Sequence, residues 1–336
     1  MKAWELRGFG RENLVRTDIP VPKPGHSEIL IRVSAVSLNY RDRLIVEGIY
    51  NPDLVFPIIQ VADTVGEIVD VGKDVTRFKI GDRVITQYAT TWIDGDPKGD
   101  EPFHTLGNTI PGGLAEYVSL NEEAVVQAPA YLTDEEASTL PVAALTAWFS
   151  LKEKGKLTSS QSVLVQGTGG VSLFGLQIGK ALGAQVFVTS SSDEKLERTK
   201  ALGAHAGINY ARTPDWEKEV LRLTENRGVD QILEVVGGKN LAQSIAAIKP
   251  GGQIAVIGFL ESLSSELPFL PLIVKQIVIR GIVTGPRRAF EEMNLLLEKL
   301  QIRPIIDAVY PFADAPAAYE HLYRGAFGKI VIRVRD

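Results

Sequence analysis

Along the chain the spacing of apolar residues changes character twice. From residue 1 to about 125, apolar positions come in short runs broken by proline and glycine: PVPKPG, then EILIRV with Ile29, Ile31 and Val33 on one face, then GEIVDVG, GDRVI and GGLAEYV. Alternating runs between turn residues predict short strands, so this stretch reads as a compact, mostly β domain. From about 130 the pattern alternates between continuous apolar runs and helical spacing. A strand at 163–165 precedes a helix carrying Val171, Phe174, Ile178, Ala181 and Leu182, and a second strand follows at 186–188. Further on come a helix near Trp216–Leu223, a strand at 231–236, a helix ending at Gly251, and strands at 254–257 and 277–283. Strands alternating with helices predict a doubly wound parallel sheet. From Arg303 the text returns to turns and closes on the strand KIVIRV, expected to rejoin the first domain. The expected division is 1–125 for the β domain, 126–296 for the α/β domain and 297–336 for the returning tail.

The junction between the first α/β strand and its helix carries the most chemistry. Gly167, Gly169 and Gly170 follow the apolar run at once, in a G-x-G-x-x-G pattern except that Ser172 stands at the third glycine position. Such a turn brings backbone amides close to a pyrophosphate, and the helix offers its amino end to the same anion. Thr168, Gly169, Gly170 and Val171 are the expected contacts of a bound dinucleotide. About 20 residues past the first glycine, an acid would bind the ribose hydroxyls of NAD. Here that place holds Thr189, Ser190 and Ser191, with no carboxylate to repel a 2′-phosphate, and Lys195 follows one helical turn later. NADP(H) is therefore the expected cofactor. Ser191 and Glu194 are also spaced as a capping box, so Ser191 has two readings, cap or phosphate ligand. Lys195 likewise reads as a phosphate ligand or a solvated side chain.

Composition bounds the rest. With 336 residues, 45 % of them hydrophobic and 23 % charged, the chain is long enough for two full cores and shows no sign of disorder. A net charge of −5 and a pI near 5.6 argue against nucleic-acid or anionic-membrane partners and favour a small-molecule substrate. No apolar run follows Met1 and Lys2, and the most apolar later stretch, 267–283, is broken by Pro268, Pro271, Lys275 and Arg280, so no membrane span is expected. The absence of cysteine excludes disulfides, thiolate nucleophiles and thiolate metal sites and suits a cytoplasmic location. The four histidines, His26, His104, His205 and His321, are scattered. His104 sits in an acidic loop with Asp94, Asp96, Asp100 and Glu101, which has two readings, a metal site or a solvated lid, and the lid is favoured because no ligand pair there has a fixed spacing.

The motifs AVSLNYRD, GDRV, GGLAEYV, LPVAALTAW, VLVQGTGGVS and PGGQIAVIGF, in this order, resemble the medium-chain dehydrogenase/reductase superfamily over nearly the full length. Within it the zinc-free quinone oxidoreductase-like and alcohol dehydrogenase-like branch is the most similar. The resemblance implies an α/β protein, a Rossmann domain beside a GroES-like, mostly β catalytic domain. In zinc alcohol dehydrogenases of the superfamily a cysteine, a histidine and a second cysteine hold the catalytic metal. Those places fall here near Leu38 and Asn39, at Val61, Ala62 and Asp63, and near Val142, and the four-cysteine structural zinc lobe is missing. No zinc ligand set remains, so no metal is expected. Without a Lewis acid the alkoxide left by hydride transfer to a simple ketone is hard to stabilise. An enone or a quinone delocalises that charge, and backbone amides with one hydroxyl suffice to hold it.

Tyr40 and Tyr50 are candidates for the hydroxyl. Tyr50, in EGIY, is similar to the G-x-Y tyrosine that lines the substrate pocket in zinc-free reductases and can donate a proton; packing beside Pro52 is its other reading. By the same resemblance Asn39 would touch the nicotinamide ribose or the substrate oxygen, its other reading being a strand-ending turn residue; Thr146 would lie near the nicotinamide amide and Tyr210 beside the adenine, and packing is the other reading of both. Asp63 would orient the site from behind or be a strand-edge charge. Ile257, Gly258 and Phe259 end a strand at the carboxyl edge of the sheet, where dinucleotides lie. The expected activity is NADPH-dependent, zinc-independent reduction of a quinone or an α,β-unsaturated carbonyl. An alcohol dehydrogenase-like activity and an NADPH-binding sensor without turnover are the alternatives. The strand at 277–283 would leave an open sheet edge, which pairing across a two-fold axis covers, so a homodimer is expected.

Overall fold

The computed structural model describes residues 1–335, and their packing divides between two units, Met1–Leu145 with Thr284–Asp336 and Thr146–Val283. The division falls at 145/146 and 283/284, later and earlier than the 125/126 and 296/297 expected from sequence texture. The reason is packing. Helix Asp134–Ser138 lies against strands Glu28–Leu38 and Asp63–Val71, and helix Arg287–Leu300 against strand Val125–Gln127, so both belong with the β-rich unit. Texture reports the kind of element; the partner it packs on is a separate matter.

In the first unit the eleven-residue strand Glu28–Leu38 is the central member of a seven-stranded sheet. It pairs antiparallel with Asp63–Val71, Tyr117–Asn121 and Lys329–Arg333. Ile29, Ile31 and Val33 are buried, and so is Leu30 on the opposite face, because both sides of this strand are covered. The closing strand of the chain does return here: Ile330 stands opposite Leu38, which sets Lys329 next to the residue that ends the central strand.

The second unit contains a six-stranded, all-parallel sheet. Its spatial order is Ala206–Asn209, Gln185–Ser190, Ser162–Gln166, Val229–Glu234, Ile248–Val256 and Val278–Gly281. Numbered along the unit this is 3-2-1-4-5-6, the doubly wound order in which dinucleotides bind where the order reverses. Leu164, Phe187, Ile208, Trp216, Val220, Ile232, Ile245 and Ile254 form one buried cluster beneath it. Helix Asn240–Ala247 stops short of Gly251 because Ile248 is already extended and begins the fifth strand. Among the described residues no helix is long and apolar enough to cross a membrane.

Candidate active site

Strand Ser162–Gln166 is buried along its length and runs into the glycine turn. Gly167 has φ +75°, a conformation that side-chain-bearing residues rarely adopt. A Cβ on Gly167 or Gly169 would meet nothing within 4 Å, so the turn leaves space for a group to approach its backbone. Helix Gly170–Ala181 starts at Gly169 with no side-chain cap, which leaves its first N–H groups for an anion. Thr168 is buried and Val171 half-buried at this start. Ser172, in the third glycine position, donates from Oγ to Gln166 O at 2.6 Å and ties the first helical turn to the strand. Close helix–sheet approach falls to Gly175 instead, where a Cβ would lie 2.7 Å from Leu233 Cδ1.

The point where the strand order reverses is held by a buried network. Gln166 Nε2 donates to Glu234 Oε2 at 2.9 Å and to Ser244 Oγ at 2.8 Å, and Glu234 Oε1 accepts from the N–H groups of Val236 and Gly237 at 2.9 and 3.0 Å. Sequence reading passed over this pair, although a glutamine and a glutamate closing two buried strands were visible. Ile257 N–H donates to Glu234 O at 2.8 Å, and a Cβ on Gly258 would come within 2.5 Å of Val235 O, so only glycine fits there. Phe259 is half-buried beside it. The Thr146 hydroxyl is buried and donates to Val283 O at 3.3 Å.

At the end of the second strand, Thr189 and Ser190 are buried and Ser191 is exposed. Helix Asp193–Ala201 is capped by Ser192, whose Oγ accepts from Lys195 N–H at 3.2 Å; the capping box expected at Ser191 is not formed. The strand extends to Ser190, so the bend and the cap shift one residue on and Ser191 is left outside the helix. Tyr210, 44 % exposed, donates from its N–H to Ser190 O at 3.1 Å. Arg212 joins this corner unannounced by the sequence reading. It pairs with Asp193, which also accepts from Asn209 Nδ2 at 2.6 Å, so the carboxylate next to the second strand is already engaged.

In the first unit, Asn39 follows the central strand and caps the start of helix Tyr40–Val46, its N–H donating to Asp42 Oδ2 at 2.8 Å. Burial raises the Asp42 carboxyl to about 6, with Arg41 and the Asn39 N–H pulling the other way. Arg41 is buried too. It donates to Leu106 O at 3.0 Å, and its guanidinium lies over the rings of Tyr88 and Tyr50, 4.9 and 5.3 Å from their centroids. The hydroxyls of Tyr50 and Tyr88 are 2.9 Å apart. Burial drives the Tyr88 hydroxyl well above its ordinary pKa, so it stays protonated. Tyr40 faces elsewhere: Arg43 lies over its ring at 5.5 Å and over that of Tyr323 at 4.4 Å. Of the two tyrosine candidates, only Tyr50 is thus joined to a second hydroxyl.

Asp63 is fully buried rather than a charge at a strand edge. Its Oδ1 accepts from Val142 N–H at 3.0 Å, and its Oδ2 from Ser37 Oγ at 2.8 Å and Lys329 Nζ at 3.0 Å. Lys329 also donates to Leu38 O at 2.8 Å and to Asn39 Oδ1 at 2.6 Å. The three stretches around Leu38–Asn39, Asp63 and Val142 therefore meet at one buried ammonium. Val61, two residues before Asp63, is a buried β-branched residue at φ +73°, a strain of order 1–3 kcal/mol. Its carbonyl is held by Gly113 N–H at 2.8 Å. In the acidic loop, His104 Nε2 lies 2.9 Å from Asp100 Oδ2, and among the described residues no group of three or more His, Cys, Asp or Glu is placed to hold a metal.

Two family models match the chain: the alcohol dehydrogenase GroES-like domain at residues 25–130 and the zinc-binding dehydrogenase at residues 170–299. The chain is similar to a zinc-type alcohol dehydrogenase-like protein of Schizosaccharomyces pombe, 40 % identical over 98 % of this chain and 97 % of that one. The human quinone oxidoreductase is 26 % identical over 99 % of this chain and 97 % of its own. A crystal structure of an NAD-dependent alcohol dehydrogenase is 33 % identical and superposes over all of both chains with a TM-score of 0.91.

Proposed function

Because the chain belongs to the medium-chain dehydrogenase/reductase superfamily, whose members are nicotinamide-dependent oxidoreductases, we propose that it is a zinc-independent, NADPH-preferring reductase of quinones or α,β-unsaturated carbonyls. The observation that carries this reading is the buried Asp63–Lys329 pair. A tetrahedral zinc ion needs three or four N, S or O ligands. Around Leu38–Asn39, Asp63 and Val142 the Asn39 Oδ1 and Asp63 Oδ2 atoms are committed to an ammonium that would repel a cation, Asp63 Oδ1 is taken by Val142 N–H, and neither cysteine nor histidine is present. These residues do not fit a zinc ion.

A bound nicotinamide supplies the hydride. Gly167, Thr168, Gly169 and Gly170 with the following helix start suit its pyrophosphate, and Ser190, Ser191, Lys195 and Arg212 suit a 2′-phosphate. Tyr50 donates its proton, or a hydrogen bond, to the oxygen where a conjugated acceptor gathers charge. Tyr88 holds the Tyr50 hydroxyl in place across the 2.9 Å contact, the Arg41 guanidinium lies over both rings, and the half-buried Tyr50 takes back from water the proton it gives up. A panel of quinones, enones, aldehydes and alcohols, with NADPH consumption followed optically, tests the reading. Turnover on conjugated acceptors supports it; turnover confined to simple aldehydes and alcohols favours the alcohol dehydrogenase-like alternative, and tight NADPH binding without turnover favours a sensor.

Purified protein is expected to contain no stoichiometric zinc and to keep its activity in chelator. One zinc per chain whose removal abolishes turnover, seen by elemental analysis, would overturn the metal-free reading.

Assembly as a homodimer is a further part of the proposal. Strand Val278–Gly281 is an outer strand of the parallel sheet, and helix Phe269–Val274 before it exposes Phe269, Leu270, Ile273 and Val274 by 67 to 74 %. An unpaired edge beside such an apolar face is a natural site for a second copy. Light scattering at micromolar concentration is expected to give twice the chain mass of 36.6 kDa, and a monomer contradicts it.

A further inference from the structure

We propose that Lys329, charge-balanced by Asp63, is a positioning residue that locks the Asn39 carboxamide so that its Nδ2 is kept as a donor for an oxygen of the bound ligand. An ammonium has three N–H donors and no acceptor. Lys329 spends all three within the unit, on Leu38 O, Asn39 Oδ1 and Asp63 Oδ2, at 2.8, 2.6 and 3.0 Å. Because it can only donate, the atom of the Asn39 amide that faces it must be the oxygen, so chemistry dictates which end of the amide is which. Nδ2 then lies at the other end. It is buried and has no hydrogen-bond partner in the protein. An unmet buried donor is costly, and the cost is recovered when a ligand oxygen accepts from it.

Each neighbour serves this arrangement. Asp63 neutralises the ammonium and is itself held by Ser37 Oγ and Val142 N–H, so the pair has one geometry. The pairing of Ile330 with Leu38 sets Lys329 where its side chain reaches the end of the central strand. A buried ion pair of this kind is a weak stabiliser, since desolvation offsets most of the attraction, and orientation is the property it supplies best. The acceptor on the ligand is a ribose hydroxyl of the coenzyme or the carbonyl oxygen of the substrate. This proposal rests on the reductase reading for the second of these sources only.

A double-mutant cycle tests it. Asn39→Ala in the native chain should weaken NADPH binding, read by fluorescence titration, if the ribose is the acceptor, or lower kcat/KM for an enone at unchanged NADPH affinity if the carbonyl is; either loss should be roughly tenfold or more. In a Lys329→Gln/Asp63→Asn background, where no buried charge is orphaned and the glutamine can face either end of the amide, Asn39→Ala should cost less than about threefold. In a Lys329→Arg background, whose tip is again donor-only, it should cost as much as in the native chain. An equal cost in the native and glutamine backgrounds overturns the proposal. If the glutamine background does not fold, as judged by its thermal melt, a cost that disappears in the arginine background overturns it. If no acceptor is turned over, the reductase reading fails on its own; the NADPH titration still reads Asn39, and an unchanged affinity then overturns the positioning role.

Discussion

Tyr50→Phe is expected to lower turnover of an enone by roughly 10²-fold or more while leaving NADPH affinity intact. The ring stays and only the hydroxyl goes, so the stacking of Arg41 on the residue at position 50 survives, and what is lost is the donor and its 2.9 Å link to Tyr88. Quinone turnover should fall less, because a reduced quinone can take its protons from water. Tyr88→Phe tests the hydrogen bond between the two hydroxyls separately. It leaves the Tyr50 hydroxyl in place without its partner, and a smaller loss of enone turnover than for Tyr50→Phe is expected. If Tyr50→Phe leaves enone reduction unchanged, the residue packs a loop and no more, and the Asn39 amide becomes the next donor to examine.

What could be read in advance follows from how far apart the interacting residues stand in the chain. The glycine turn, the first α/β unit and the helix Trp216–Leu223 were legible because apolar spacing of 2 or 3.6 residues is local information. Which of three consecutive serines caps helix Asp193–Ala201 was not, since each has the right side chain and only the point where the strand ends selects Ser192. The strand KIVIRV was visible, yet nothing near Lys329 in sequence says that its ammonium meets Asn39, 290 residues earlier. That contact depends on strand pairing register, which a one-residue slip would reverse. The Tyr50–Tyr88 pair is hidden for the same reason: 38 residues separate two tyrosines that share no motif. Arg41 sits in full view inside SLNYRD, yet nothing near it in the sequence marks it as buried against two aromatic rings.

The corner at the end of the second strand carries the prediction on cofactor choice. Replacing Lys195 with alanine is expected to weaken NADPH by one charge-assisted hydrogen bond, about 1.5 to 3 kcal/mol or roughly ten- to a hundredfold, and to leave NADH nearly unchanged. Only the 2′-phosphate distinguishes the two coenzymes, so only a group that meets it can discriminate. Lys195 belongs to the first turn of helix Asp193–Ala201, where a helix start already favours an anion, and the neighbouring Asp193 carboxylate is held by Arg212 and Asn209. Arg212→Ala should cost NADPH less than Lys195→Ala does, because the guanidinium is 75 % exposed and already shares its charge with Asp193. The reading also has a plain alternative, since a 33 % identical relative is NAD-dependent. Calorimetric titration of the native chain with each coenzyme decides between them: equal affinity for NADH and NADPH, or no selective loss of NADPH in Lys195→Ala, would mean that Ser190, Ser191 and Lys195 leave the phosphate unrecognised.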